Sequence, residues 1–341
     1  MTSLVLLWDV SLVLCVIGAV ALLMLLLARA RANRSAASWT QARAAVLPQL
    51  LDGPDQPQRL RGTELEVATM LTSELAEMTA GSERAAMLER ASAMGVPALL
   101  EARLLSRSAQ TRLSAVETLS LFPQYGKRVE RVLDDPNPDV RLGAALALAQ
   151  RDDAPPPSLI VEKLRIGCEE RSLLLVSMMR DLAEHDAGAV AGLLFEKDVP
   201  YEAKVAATDA LAIVGPRYAP LLAYMASDSA GESDLQPRIY RALGRLGHPS
   251  GRDTILNGLK SEEWPVRASA AEAAGKSGLA EAADTLGELL ADENWWVRFR
   301  AGEALLRIGP RGLAVLQTAR ASEVEITRTT AQAILAERQA A

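Results

Sequence analysis

Asp292-Glu-Asn-Trp-Trp-Val-Arg-Phe-Arg-Ala-Gly-Glu-Ala-Leu-Leu-Arg-Ile-Gly309 contains a frame that recurs along most of the chain. It reads as an Asp, a short turn, Val297-Arg298, then Ala301, Ala304-Leu305 and Gly309. Taking Arg298 as an anchor, Arg267 repeats it with Ala270, Ala273-Ala274 and Gly278. Lys204 does so with Ala207, Ala210-Leu211 and Gly215, and Gln236 with Ile239, Ala242-Leu243 and Gly247. Arg84, Arg112 and Arg141 fit, and Arg171 and Arg328 fit more loosely. The intervals between successive anchors are 28, 29, 30, 33, 32, 31, 31 and 30 residues. A near-constant period in this range signals an array of repeats rather than one globular core.

One unit can be built from the pattern. Positions three, six or seven, and ten after the anchor share a helical face. Small residues at three and six let a neighbouring helix approach closely. Glycine eleven residues on reads as a C-cap, since it takes the left-handed conformation at little cost. A short apolar helix precedes each anchor helix, as at 99–105, 159–164, 285–290 and 313–318. Such a hairpin is too small to bury its own apolar face, so neighbours must stack. Six residues before six anchors stand Ser106, Asp135, Asp198, Ser261, Asp292 and Ser322. Their side chains are expected to accept backbone N–H groups in the turn.

The pattern resembles the HEAT-repeat superfamily, and most closely the short HEAT-like repeats named after the phycobilisome lyases. The resemblance rests on Val-Arg at 266–267 and 297–298 with their Ala and Gly positions, and runs from about Thr63 to the C-terminus. It implies an all-α solenoid of about nine helical hairpins over residues 62–341, presenting an extended surface to a partner. It does not imply lyase activity, because function resides in sites rather than folds.

Composition agrees. The chain has 341 residues, 49% hydrophobic and 4% aromatic, which suits stacked helices rather than a β-sandwich. A net charge of −6 argues against nucleic acid as a partner, which would need a basic face. Two cysteines, Cys15 and Cys168, exclude a disulfide framework.

At the N-terminus, residues 10–27 carry no charge. At about 1.5 Å per residue this run reaches roughly 27 Å, close to a hydrocarbon core. A transmembrane helix is expected over 4–27. Arg29, Arg31 and Arg34 follow it and none precedes it, so the positive-inside rule places the repeats in the cytoplasm and the N-terminus outside. The competing reading, a signal peptide cut near Ala30, lacks a charged n-region and has too long an apolar run. Residues 28–61 read as a juxtamembrane helix and then a linker around Pro54 and Pro57, which would let the solenoid swing. Thr63-x-x-Glu66 matches a capping box opening the first repeat helix, with Leu65, Ala68, Leu71, Leu75 and Met78 as its apolar face.

Candidate chemistry is sparse. His185 and His248 stand apart in turns, with no His-x-x-x-His, Cys-x-x-Cys or paired His-Glu motif. Gly244-Arg-Leu-Gly247 reads as a helix end rather than a phosphate loop. Cys168, between Arg165 and Arg171, is the one candidate nucleophile, but no His or Asn neighbours it in sequence. No catalytic residue, metal or cofactor is expected. Trp264 and Trp295, each three before an anchor, are expected to fill the repeat's inner turn. Trp296, Phe299 and Arg300 are the candidate partner-binding residues, with Arg298 beside them, because Trp and Arg dominate interface energetics. The expectation is an adaptor on a bacterial-type inner membrane that holds a protein partner, with envelope or polysaccharide-export machinery as company. The alternative is a lyase-like or Cys168-dependent enzyme on the same scaffold.

Overall fold

The computed structural model describes residues 22–25, 29, 36–53, 57–165, 173–228 and 235–340. The chain divides into two compact units, Met1–Val132 and Leu133–Ala341. The first holds helices α1 (36–52), α2 (Gly62–Met78), α3 (Gly81–Met94), α4 (Val96–Arg103), α5 (Ala109–Leu119) and α6 (Gly126–Glu130). The second holds α7 (Pro138–Ala149), α8 (Pro157–Leu164), α9 (Leu173–Gly192), α10 (Tyr201–Val214), α11 (Ala219–Asp228) and α12 (Leu235–Leu246). It continues through α13 (Arg252–Gly258), α14 (Trp264–Lys276), α15 (Ala283–Glu288), α16 (Trp295–Ile308), α17 (Pro310–Ala319) and α18 (Glu325–Ala340).

Every described anchor lies on a helix, and seven of them stand three residues after its first residue. The start is fixed by turn chemistry. Ser106, Asp135, Ser261, Asp292 and Ser322 accept the backbone N–H two residues on, at 2.8 to 3.2 Å, as expected. The anchor guanidinium then donates back to the carbonyl six residues earlier at Arg112, Arg141, Arg267, Arg298 and Arg328, at 2.8 to 2.9 Å. Each also reaches the carbonyl five residues earlier. One planar cation thus satisfies two turn carbonyls through charge-assisted bonds. Arg298→Ala should cost about 1–3 kcal/mol, because both carbonyls lose a charged donor. Chemical denaturation reads this directly, and an unchanged midpoint would deny the clamp a role in stability.

The small-residue positions do what the frame requires. Ala301, Ala304 and Leu305 are fully buried, as are Ala270, Ala273 and Ala274. In the second unit α10, α12, α14 and α16 pack side by side, while α11, α13, α15 and α17 form the other layer. A Cβ on Gly244 would sit 2.6 Å from Cα of Ala273, and one on Gly275 would sit 2.7 Å from Cα of Ala304. Both glycines are eight residues after their anchors and face the sixth position of the next repeat, so backbones touch there. The expected C-cap glycines all have positive φ: Gly95, Gly215, Gly247, Gly278 and Gly309. Among the described side chains of α18 only Ala331 and Ile334 are buried, which suits a terminal repeat.

Two expectations are corrected. Thr63 is not a cap: α2 begins at Gly62 behind an extended Arg61, and no side chain caps it. Met78 is 82% exposed, because the buried face of α2 turns through Val67, Ala68, Leu71, Thr72 and Ala76. Within the first unit α1 docks on its neighbours, while the segment about which a swing was expected, 4–27, lies outside the described residues except for Leu22–Leu25. Val46 and Leu50 are buried, Arg43 pairs with Glu74 at 3.0 Å, and the Leu60 N–H donates to the Met94 carbonyl. Arg90 donates to the carbonyls of Leu50 and Leu51, placing a cation at the C-terminal end of α1, where the helix dipole favours it.

The anchor expected over 4–27 falls outside the described residues except for Leu22–Leu25, and so do Arg31 and Arg34. Among the described residues no helix is long and apolar enough to cross a membrane.

Candidate functional site

Trp295 and Trp296 open α16, where the Asn294 side chain accepts the Trp296 N–H at 2.9 Å. Starting the helix there directs both rings outward. Trp295 is 54% exposed, Trp296 49% and Trp264 43%. The expectation that Trp264 and Trp295 fill an inner turn is therefore corrected: each is the first residue of its helix, ahead of the buried stripe. Trp295 stacks on Phe299 with centroids 5.3 Å apart, and Trp296 meets Trp295 edge-on at 4.7 Å. Arg300 stands over Phe299 at 5.9 Å and binds Glu303 at 2.8 Å. The three aromatics thus form one pre-packed, outward-facing cluster held by a short helix turn. Arg298, expected beside it, instead spends its guanidinium on the carbonyls of Asp292 and Glu293.

Arg267 goes further than its own turn. Its guanidinium binds Asp292 of the next repeat through two bonds, at 2.7 and 3.1 Å, and so bridges the two repeats. The cluster therefore stands on a junction whose geometry is set by a two-pronged ion pair.

Elsewhere the site residues do not converge. His185 faces Asp152 at 3.2 Å, and Asp186 breaks α9 with a non-helical backbone while accepting the Ala189 N–H. His248 caps a turn by accepting the Ser250 N–H. Cys15, Cys168 and Arg171 lie outside the described residues. Among the described residues no group of three His, Cys, Asp or Glu side chains is placed to hold a metal. In the first unit a cleft of about 740 Å³ opens between α3 and the turn after α5, lined by Arg84, Leu88, Glu89, Ser92, Phe122 and Gln124.

The HEAT-repeat family profile matches residues 218–306 and 252–336, a stretch that includes α16 and the junction beneath it. Together the two matches cover residues 218–336, about a third of the chain, and the fold there is a stack of helical repeats. The same Arg clamp recurs upstream of the matched residues, at Arg141 and Arg112. No curated protein matches the chain. Among solved structures, the karyopherin Kap121p bound to the extreme C-terminus of the protein phosphatase Cdc14p is similar at 16% identity, with a TM-score of 0.49 over 86% of this chain. The chain spans 39% of that karyopherin. Human deoxyhypusine hydroxylase in complex with glycerol is similar at 16% identity and a TM-score of 0.27, over 90% of this chain and 99% of that one. Nothing about function follows from likeness of this degree.

Proposed function

We propose that the protein is a non-catalytic adaptor whose HEAT repeats hold a protein partner, with the Trp295–Trp296–Phe299 cluster and Arg300 as the anchor. The observation that carries this reading is two exposed tryptophans, Trp295 and Trp296, already packed against each other and against the half-buried Phe299. Their ordering cost is met before binding, and Trp with Arg is what interface hot spots favour. In the same reading, segment 4–27 tethers the chain to a bacterial-type inner membrane, with Arg29, Arg31 and Arg34 near the lipid and the repeats in the cytoplasm. The uncharged run at 10–27 and its arginine flank support that part. Tethering would raise the effective concentration of a membrane-associated partner such as envelope or polysaccharide-export machinery.

Affinity capture of the full chain from detergent-solubilised membranes, beside a Trp296→Ala variant, tests the reading. Trp296 is half exposed, so the variant should lose about 1 kcal/mol of stability or less. It should lose about 2 kcal/mol or more of partner affinity. A large fall in melting temperature would make Trp296 a packing residue and remove it from the interface. Protease protection in intact spheroplasts tests the topology, and cleavage of the repeats from outside would reverse it.

A further inference from the structure

The surface running from the aromatic cluster across α16, α14 and α12 has a charge pattern set by the repeat. Charged side chains recur two, five and nine residues after the anchor in α12 and α16, and five and nine after it in α14, where Ser269 at the first of these positions is buried. In α12 these positions hold Arg238, Arg241 and Arg245; in α14 Ser269, Glu272 and Lys276; in α16 Arg300, Glu303 and Arg307. The same positions of α10 hold Ala206, Asp209 and Ile213. Six cations stand among three carboxylates, a local excess of +3 in a chain of net charge −6, so the rest of the chain carries −9.

The carboxylates are less exposed than the cations paired with them. Side chains of Asp209, Glu272 and Glu303 are 21, 12 and 26% exposed, whereas Arg245, Lys276, Arg300 and Arg307 are 32 to 43% exposed. Arg245 pairs with Asp209, Lys276 with Glu272, and Arg300 and Arg307 with Glu303. Burial works against ionisation of Glu272, yet Lys276, Arg300 and Arg241 hold its carboxyl below the usual range. Those carboxylates are spoken for. Among the described residues Arg238 and Arg241 make no ion pair; Arg241 donates only to the Pro237 carbonyl of its own helix. Burial and then Arg238 push the Arg241 guanidinium below its ordinary value, against the opposing pull of Glu272 and Asp209.

We propose that this face binds an acidic polypeptide segment: carboxylates at Arg238 and Arg241, and an apolar side chain against Trp296 and Phe299. Resting on the protein-binding reading, this adds the chemistry of the partner. A nucleic acid is disfavoured because Glu272 and Glu303 interrupt the cation rows where a continuous phosphate backbone would run. The remainder of the chain is net negative, so the patch directs the approach of an acidic segment as well as holding it.

The test uses the full chain in neutral detergent and three labelled peptides of one length. They share a Leu and a Phe and differ in carrying Glu, Gln or Lys at every other position. The Glu peptide should bind about tenfold or more tightly than the Gln peptide, and the preference should fade between about 50 and 400 mM salt. Arg238→Gln with Arg241→Gln should abolish the preference while leaving the melting temperature in place. Because Arg241 is half-buried, Arg307→Gln, on an exposed side chain, provides a second variant that should weaken the preference partially. Equal binding of Glu and Lys peptides, or no binding of either, overturns the proposal. So does tighter binding to phosphatidylglycerol vesicles or single-stranded RNA than to the Glu peptide. If a captured partner depends on Trp296 but not on Arg238 and Arg241, the adaptor reading stands and the acidic-segment inference falls.

Discussion

Replacing Arg267 with Met should lower stability by about 3–5 kcal/mol, the largest loss expected from any single surface-proximal change in this chain. The Asp292 side chain is only 6% exposed and receives both prongs of the Arg267 guanidinium. Removing the cation leaves a buried carboxylate with the Asn294 N–H as its remaining donor partner. It also strips donors from the carbonyls of Ser261 and Glu262. Arg267→Lys should recover part of the loss, since an ammonium keeps the charge but not the fork. Denaturant unfolding gives the magnitude. In a stacked array, coupling acts between nearest neighbours. The damage should therefore appear as a separate early transition of α16 to α18, with new proteolytic cuts near residues 277–294. One transition with an unchanged midpoint would show that the pair is dispensable.

Gly275→Leu should be comparably severe for a different reason. Its Cβ would fall 2.7 Å from the Ala304 Cα and 2.9 Å from its Cβ. Backbone cannot rotate out of the way as a side chain can, so α14 and α16 must separate along their length. Overpacking of this kind costs about 3 kcal/mol or more when the obstacle is backbone. Gly244→Leu should behave alike at the α12–α14 contact, where the obstacle is Ala273. Hydrogen exchange should show α16 losing protection in the first variant and α14 in the second. A wild-type exchange pattern in either would mean that the helices tolerate a wider spacing.

The repeat is legible in sequence because several of its requirements are local and recur with one period. Gly309 and Gly278 follow Arg298 and Arg267 by the same eleven residues, and both take the positive φ that a C-cap needs. The Ser or Asp six before the anchor is likewise tied to its own turn. What the pattern hides is direction and long-range docking. Trp264 and Trp295 look like core residues by hydrophobicity, yet each occupies the first residue of its helix, ahead of the stripe that faces the stack. The Asn caps at 137 and 294 were visible as a polar residue just ahead of the first helical turn, a signal that the Arg-centred frame passes over. The docking of α1 depends on Arg90, forty residues from the Leu50 carbonyl it binds, and no periodicity announces such a pair. The candidate partner residues Trp296, Phe299 and Arg300 do come together, because one helical turn places them there.

The Arg clamp has a consequence for how the chain can change length. Each guanidinium closes on carbonyls five and six residues back, so the turn it secures lies wholly within one repeat. Duplication or deletion of a whole repeat therefore leaves every surviving clamp intact. What shifts is register: one added unit between α12 and α16 would move the aromatic cluster one rung away from Arg238 and Arg241. Insertions in steps of about 31 residues can thus be inherited without misfolding while retuning the spacing of a ligand's charged and apolar groups.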